Sequence, residues 1–399
     1  MQRSAHVKEE NSRIDYGIIF CVLLLALIGL ASIYVAANHD KSSTSVMKAV
    51  ISQLMWYVIG TVAIIIVMQF DSEQLWKVAP IAYWLGIFLM FAILVFYSRS
   101  YYVSTGAKSW FAVGPITFQP SEVMKPAYIL MMGRVITNHN TQYPNHTLES
   151  DFALIGKMIG WLLPIVISLH FQNDFGTTLV FAAIFAGMLL VSGISWRIIV
   201  PGVTAVAVIG GTALAFVTTS WGRSILEHLG FQAYQFARVD TWLHPSQDTS
   251  NNGYQLWQSI KAVGSGGIVG TGFNNSNVYV PVRESDMIFS VIGENFGFVG
   301  GALLVLLYLL LIYQMVRVTF DTKNEFYAYI STGVIMMILF HVFENIGMNI
   351  GLLPLTGIPL PFISAGGSSL IGNMLGIGMI MSMRFHQRSY MFSNKEQFR

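Results

Sequence analysis

Hydrophobic and polar residues follow one another along this chain in long blocks. Three uncharged runs come first, at residues 17–37, 49–70 and 78–97. Each is close to the roughly 20 residues a helix needs to cross a bilayer. Lipid offers no partner to backbone N–H and C=O groups, so each run is predicted as a helix. A loop rich in Tyr, Gly and Trp fills 98–119. Residues 120–136 are helical in pattern but carry Glu122, Lys125 and Arg134. Runs 155–171, 175–194 and 198–218 are again nearly uncharged. The longest polar stretch, 220–285, separates them from apolar runs at 286–316, 326–349 and 368–383. The pattern predicts an all-α polytopic membrane protein of about ten transmembrane helices, with one long loop between spans 7 and 8. The whole chain, 1–399, reads as a single integral-membrane domain. Its polar tails lie at 1–15 and 386–399.

Composition agrees with the pattern. Hydrophobic residues make up 54% and charged residues 11% of 399, against about 25% charged in an average soluble domain. That excludes a soluble enzyme, a disordered chain and a disulfide scaffold. An outer-membrane barrel is excluded too, because its short strands alternate in polarity. The net charge of +2 marks no nucleic-acid partner. The one cysteine, Cys21, allows no internal disulfide. The polar start followed by a long apolar run reads as a first span, not a cleavable signal.

Lysine and arginine in short flanks set the orientation. With the N-terminus inside, cytoplasmic segments hold Arg3, Lys8, Arg13, Lys77, Arg134, Lys157, Arg197, Arg317, Lys323, Arg384, Arg388, Lys395 and Arg399, thirteen in all. Short outer segments hold five: Lys41, Lys48, Arg99, Lys108 and Lys125. Arg223, Arg238, Lys261 and Arg283 fall in the long loop, which the rule does not count. Both termini are therefore expected in the cytoplasm. Loops 98–119, 172–174, 220–285 and 350–367 share the outer face, where any chemistry is expected.

Four stretches on that face hold the candidate residues. The first is GAKSWFAVGPITFQPSEVMKP, 106–126. Glu122 and Lys125 sit at i and i+3 in the first turn after Pro120, either as a helix-stabilising pair or as costly ionisable groups facing a polar cavity. The second is QNDFGTT, 172–178, where Asp174 reads foremost as a helix N-cap. The third is the long loop with its three motifs. GSGG at 264–267 lacks the GK[ST] ending of a nucleotide loop. ESDMIF places Asp286 at the start of a span, as a cap or as a free acid. Glu294 lies about 12 Å deeper on a continuous helix and needs a partner or a wet cavity. The fourth, 344–373, bends through PLTGIPLPFISAGGSS. Its backbone N–H groups at Ser364, Gly366, Gly367 and Ser368 are either a rigid turn or an anion site at a helix start. The nine histidines do not cluster, and there is no HExxH or cysteine pair.

These motifs, in this order, resemble the SEDS family (shape, elongation, division and sporulation), the RodA/FtsW membrane proteins of bacterial cell-wall synthesis. The resemblance runs from the first span to the tenth. Thr356 stands where division-type members tend to carry lysine, which favours the elongation (RodA) branch. The resemblance implies a peptidoglycan glycosyltransferase in the bacterial cytoplasmic membrane. It would polymerise lipid II at the outer face during elongation and release polyprenyl diphosphate. It also implies Asp286 as the catalytic acid-base group, with Glu122 and Lys125 in supporting roles. A class B penicillin-binding protein and other elongation-complex membrane proteins are the implied partners. ESDMIF departs from the family's TDFIF, Glu294–Asn295 from Glu–Glu, and QNDFGT from QPDLGT. Attack by a sugar hydroxyl on an anomeric carbon calls for a carboxylate base. A diphosphate leaving group calls for cations. Lys108, Lys125, Arg223, Arg238 and Arg283 are the outer candidates, with a divalent ion (Mg or Mn) as the alternative. A flippase of lipid-linked precursor and an inactive scaffold are the rival readings.

Overall fold

The computed structural model describes residues 13–40, 45–114, 116–228, 239–247, 251–322 and 324–390. Helices dominate. In chain order they are α1 (Tyr16–His39), α2 (Val46–Met68), α3 (Ser72–Phe96), α4 (Arg99–Thr105), α5 (Pro120–Gln142), α6 (Leu148–Gln172), α7 (Phe175–Val191), α8 (Trp196–Thr218), α9 (Ser220–His228), α10 (Asn251–Ser265), α11 (Ile288–Thr322), α12 (Glu325–Asn349) and α13 (Gly367–Tyr390). A long helix occupies each of the ten expected places. Seven of them, α1, α2, α3, α6, α8, α11 and α12, are long and apolar enough to cross a membrane.

Local chemistry sets several helix starts. Asp15 accepts from Ile18 N at 3.0 Å and begins α1. Asp71 and Gln74 exchange bonds in a capping box at α3, and Thr147 and Ser150 do the same at α6. Such caps satisfy backbone N–H groups that a helix leaves open.

Helix α5 is the polar exception. It is buried along most of its length, Glu122 and Lys125 included, and packs against α3, α6, α7, α12 and α13. Protein surrounds it, so it does not need an apolar face toward lipid. Helix α8 is the opposite case. Ile199 is its one buried residue, as an apolar helix in lipid can be. Loop 98–119 contains more structure than expected. After α4 comes a hairpin of β1 (Phe111–Val113) and β2 (Ile116–Phe118), paired antiparallel with Phe111 opposite Phe118. The hairpin delivers the chain to Pro120 at the first turn of α5, a position proline tolerates.

Helix α11 differs most from expectation. It starts at Ile288, two residues after Asp286, and it breaks at Gly297 (φ 63°, ψ −158°). That conformation is essentially restricted to glycine. Glu294 is therefore not two turns down a continuous span from Asp286. It lies on a short buried arm ahead of the break. The glycine-rich segment 264–272 threads past this break. Thr271 N donates to Glu294 O at 2.9 Å and Gly272 N to Asn295 O at 3.2 Å. Phe298 N donates to Gly267 O at 2.9 Å and Val299 N to Ile268 O at 3.0 Å. GSGGIVGTG thus supplies the backbone partners that a broken helix loses. Its glycines permit a contact in which a Cβ on Gly270 would lie 2.1 Å from Asn295 O.

Loop–loop contacts gather at one end of the bundle. Lys108 N donates to Gln172 O at 2.9 Å and Ala365 N to Glu284 O at 2.8 Å. Trp242 Nε1 donates to Gly351 O at 3.1 Å. These contacts join the stretches expected on the outer face in two pairs, 98–119 with 172–174 and 220–285 with 350–367.

Two measurements follow from this architecture. Gly270→Ala puts a Cβ against backbone at φ 87°, so it should cost at least ~1–3 kcal/mol, as overpacking does. Gly264→Ala meets open space and should leave thermal unfolding of the purified protein unchanged. Equal unfolding temperatures for the two variants would contradict the threading role. For orientation, Ser246 and Asn145 are both exposed, while the native Cys21 is buried. A cysteine at Ser246 should react with an impermeant reagent on intact cells, and one at Asn145 only after permeabilisation. The reverse pattern would invert the topology.

Candidate active site

Asp286 lies in the turn that closes the long loop, just ahead of α11. Its backbone carbonyl accepts two hydrogen bonds from α12: Asn345 Nδ2 at 2.8 Å and Asn349 Nδ2 at 3.1 Å. Both asparagines are fully buried. Asn345 also reaches Ile358 O at 2.8 Å, and Asn349 accepts from Ser259 Oγ at 2.8 Å. The two side chains therefore tie Asp286 to the Pro-Gly loop and to α10. On its other side, Ser364 Oγ donates to Ser285 O at 2.7 Å and accepts from Leu360 N at 2.8 Å. Gly357 adopts φ 74°, and a Cβ there would lie 3.3 Å from Asp286 Oδ2. A larger residue at 357 would strain the backbone and press on the carboxylate.

The cap reading of Asp286 does not describe this geometry. The carboxyl group bonds the Ser285 side chain, and the helix opens after it. Burial pushes this carboxyl up to about 7. Nearby Glu284 adds to the rise, and the Ser285 bond opposes it.

Glu122 and Lys125 form a buried pair, Nζ to Oε2 at 2.8 Å. Lys125 Nζ also lies 2.9 Å from His341 Nε2 on α12. His341 is four residues before Asn345, so the two project from one face of α12 about one turn apart. The α5 pair and Asp286 are thus assembled on a single row: His341, Asn345, Asn349. The row lies in the run 326–349, which the sequence reading places as a span without naming partners for its polar residues. Polar residues at every fourth position of an apolar span were its sequence signature.

Asp174 is the N-cap of α7, as its bland reading had it. It accepts from Thr177 N at 3.0 Å and from Thr177 Oγ1 at 2.9 Å. It also accepts from Gln119 Nε2 at 3.0 Å, just ahead of the turn that carries Glu122. Ser368 Oγ accepts from Gln119 N at 3.1 Å. Gly366 N donates to Gln53 Oε1 at 3.3 Å. Gly367 opens α13 against the Trp56 ring, which a Cβ would meet at 2.4 Å. These three hold the SAGGSS turn against α2 and the hairpin.

The cations divide sharply. Arg283 pairs with Glu294, which also accepts from Asn277 N at 2.7 Å and Val278 N at 3.0 Å. Glu294 thereby has the partner a buried acid needs, and Arg283 is committed to folding the loop. Arg223 is held by Asp240. Lys108 lies over the rings of Tyr97 and Tyr102, 5.3 and 5.7 Å from their centroids, with no acidic partner among the described residues. Arg238 lies outside the described residues. No group of three or more His, Cys, Asp or Glu side chains arranged to hold a metal ion occurs among the described residues.

A multi-helix membrane protein with a fixed carboxylate and a buried lysine–glutamate pair at one end of its bundle is the class this geometry defines. The chain matches the FtsW/RodA/SpoVE family, described as cell cycle protein, over residues 16–389, and it belongs to that family. It is 32% identical to the peptidoglycan glycosyltransferase MrdB of Escherichia coli K12, over 95% of each chain. It is 29% identical to the peptidoglycan glycosyltransferase RodA of Treponema pallidum, over 94% of this chain and 98% of that one. Its fold matches a solved chain of a peptidoglycan synthase complex that coordinates polymerization and crosslinking. The TM-score is 0.75 and the identity 26%, over 94% of this chain and 98% of that one. RodA of Thermus thermophilus shares the fold at a TM-score of 0.66 and 22% identity, over 96% and 98% of the two chains. The chain is a RodA-like, multi-pass protein of the bacterial cytoplasmic membrane.

The elevated Asp286 carboxyl sets a pH signature. A base works only when ionised, so if Asp286 serves as the base, turnover should rise with pH through a midpoint near 7, against about 4 for an ordinary aspartate. A pH–rate profile whose acid limb falls near pH 4 would contradict the desolvation of this half-buried carboxyl.

Proposed function

We propose that this chain is a peptidoglycan glycosyltransferase that polymerises lipid II at the outer face of the membrane during cell elongation. The supporting observation is the assembly of Asp286 and the Glu122–Lys125 pair on one helical row, in a chain whose curated relatives are named for this activity. Asp286 is the general base. It takes the proton of the acceptor sugar hydroxyl as that oxygen attacks the anomeric carbon of the donor. The anomeric C–O bond breaks, and the polyprenyl diphosphate leaves with the electron pair. Lys125 and Lys108 are the proposed cations for the developing negative charge, since such charge is best met by preorganised donors. The lipid tails remain in the bilayer, and only the sugars need reach the loops.

A class B penicillin-binding protein, a single-span transpeptidase, is the proposed working partner, with other elongation-complex membrane proteins around it. Support comes from the synthase complex to which the fold is similar. The ten-span arrangement, with both termini in the cytoplasm, is part of the same reading. It rests on the charge count and on the clustering of loops 98–119, 172–174, 220–285 and 350–367 at one end.

Asp286→Asn tests the assignment. The change keeps size and leaves the backbone carbonyl that Asn345 and Asn349 hold. Polymer formation from lipid II should fall at least ~10²–10⁴-fold, the usual worth of general base catalysis. Lipid II binding should change little, because the base acts in the transition state. Near-normal polymer from monodisperse Asp286→Asn protein would move the base elsewhere.

A further inference from the structure

The lysine–glutamate pair of α5 has a third member on α12. We infer that His341 is a positioning residue that aims the Lys125 ammonium, an inference that rests on the glycosyltransferase reading above. The His341 ring is bonded at both nitrogens. Nδ1 lies 2.5 Å from Met337 O, the carbonyl one turn back on its own helix. A carbonyl oxygen can only accept, so Nδ1 carries the proton. Nε2 is left with a lone pair, 2.9 Å from Lys125 Nζ. The helix backbone thus selects the one tautomer that can receive an N–H from lysine.

Lys125 is consequently held from two helices. Glu122 Oε2 takes one N–H at 2.8 Å and His341 Nε2 a second. Glu122 is itself fixed. Gly372 of α13 packs against its backbone and its carboxylate, so that a Cβ there would lie 2.5 Å from Glu122 O and 3.5 Å from Glu122 Oε2. An ammonium has three donors, so two are spent among the described residues and one remains. Two fixed acceptors determine where the third N–H points. A lysine on a flexible four-carbon stem is otherwise a poorly directed charge. His341, Glu122 and Lys125 are all at most 4% exposed, so their mutual placement is set by packed protein groups. His341 also stands one turn from Asn345, which holds the Asp286 carbonyl. A single helix face therefore sets both the cation and the base.

The chemistry gives the role its content. The bond to the anomeric carbon breaks as the diphosphate oxygen gains charge. A donor aimed at that oxygen contributes more in the transition state than in the bound substrate. His341 touches no reacting atom and acts only through Lys125. Its loss should therefore lower kcat and leave KM nearly unchanged.

The test is a double-mutant cycle on the full-length protein, co-purified with its transpeptidase and assayed with lipid II. His341→Leu should lower kcat on the order of 10²-fold, the scale of a misplaced catalytic group, with KM little changed. His341→Gln keeps an acceptor at similar reach and should recover most of that loss. His341→Asn is too short to reach Nζ and should behave as Leu does. In a Lys125→Met background, His341→Leu should have no further effect. Additive losses in that background would overturn the inference, as would Gln and Leu variants with equal kcat. A Leu variant with normal kcat beside an inactive Lys125→Met would sink it while sparing the role of Lys125. Full activity of Lys125→Met would remove the cation role itself and the inference with it. Should the Leu variant fail to accumulate, the comparison of Gln with Asn carries the same contrast.

Discussion

The site depends on one row of α12. His341, Asn345 and Asn349 recur every fourth residue and so share a face. Each is buried in a span where polar groups are costly unless paired. Each is paired, and each partner belongs to a different part of the chain. His341 meets Lys125 of α5. Asn345 meets Asp286 and the Pro-Gly loop. Asn349 meets Asp286 and, through Ser259, α10. The cost of leaving any of these polar side chains unpaired is what holds three distant segments in register.

Around that row, glycines do two separate jobs. In GSGGIVGTG they let one backbone pass directly against another, at the break of α11, so that the arm holding Glu294 can turn beneath the loop. At Gly357 a positive φ and the missing side chain bring the loop against the Asp286 carboxylate. The Arg283–Glu294 pair then closes the loop from inside, with two backbone N–H groups on the carboxylate. A buried ion pair of this kind contributes chiefly by specifying one arrangement.

Much of this was legible in the chain. Long apolar runs marked where the long helices lie, because lipid leaves helices as the only option. The bland reading of Asp174 held, since its oxygens cap α7. Three things were not legible. The break of α11 was hidden because Gly297 sits in an otherwise apolar run, and its backbone partners lie some 27 residues earlier, at Gly270. The fates of the cations were hidden as well. Arg283 and Lys108 look alike in a list of outer charges. Only folding shows that one meets Glu294 and the other rests between two tyrosine rings. His341 and the two asparagines were visible as polar residues in an apolar span. Their targets were not, because contacts between distant segments leave no local pattern.

The central claim is that the reacting sugars meet Asp286 with the diphosphate directed to the α5 lysine. The most direct measurement is a structure of the full-length protein bound to a non-hydrolysable lipid II analogue and an acceptor glycan. The account predicts the acceptor hydroxyl within hydrogen-bond reach of an Asp286 carboxylate oxygen, about 2.6–3.2 Å. It also predicts diphosphate oxygens facing the free N–H of Lys125. A complex with the sugars at another part of the bundle, for example the cleft lined by Thr105, His170 and Asp174, and with Asp286 untouched, would contradict it.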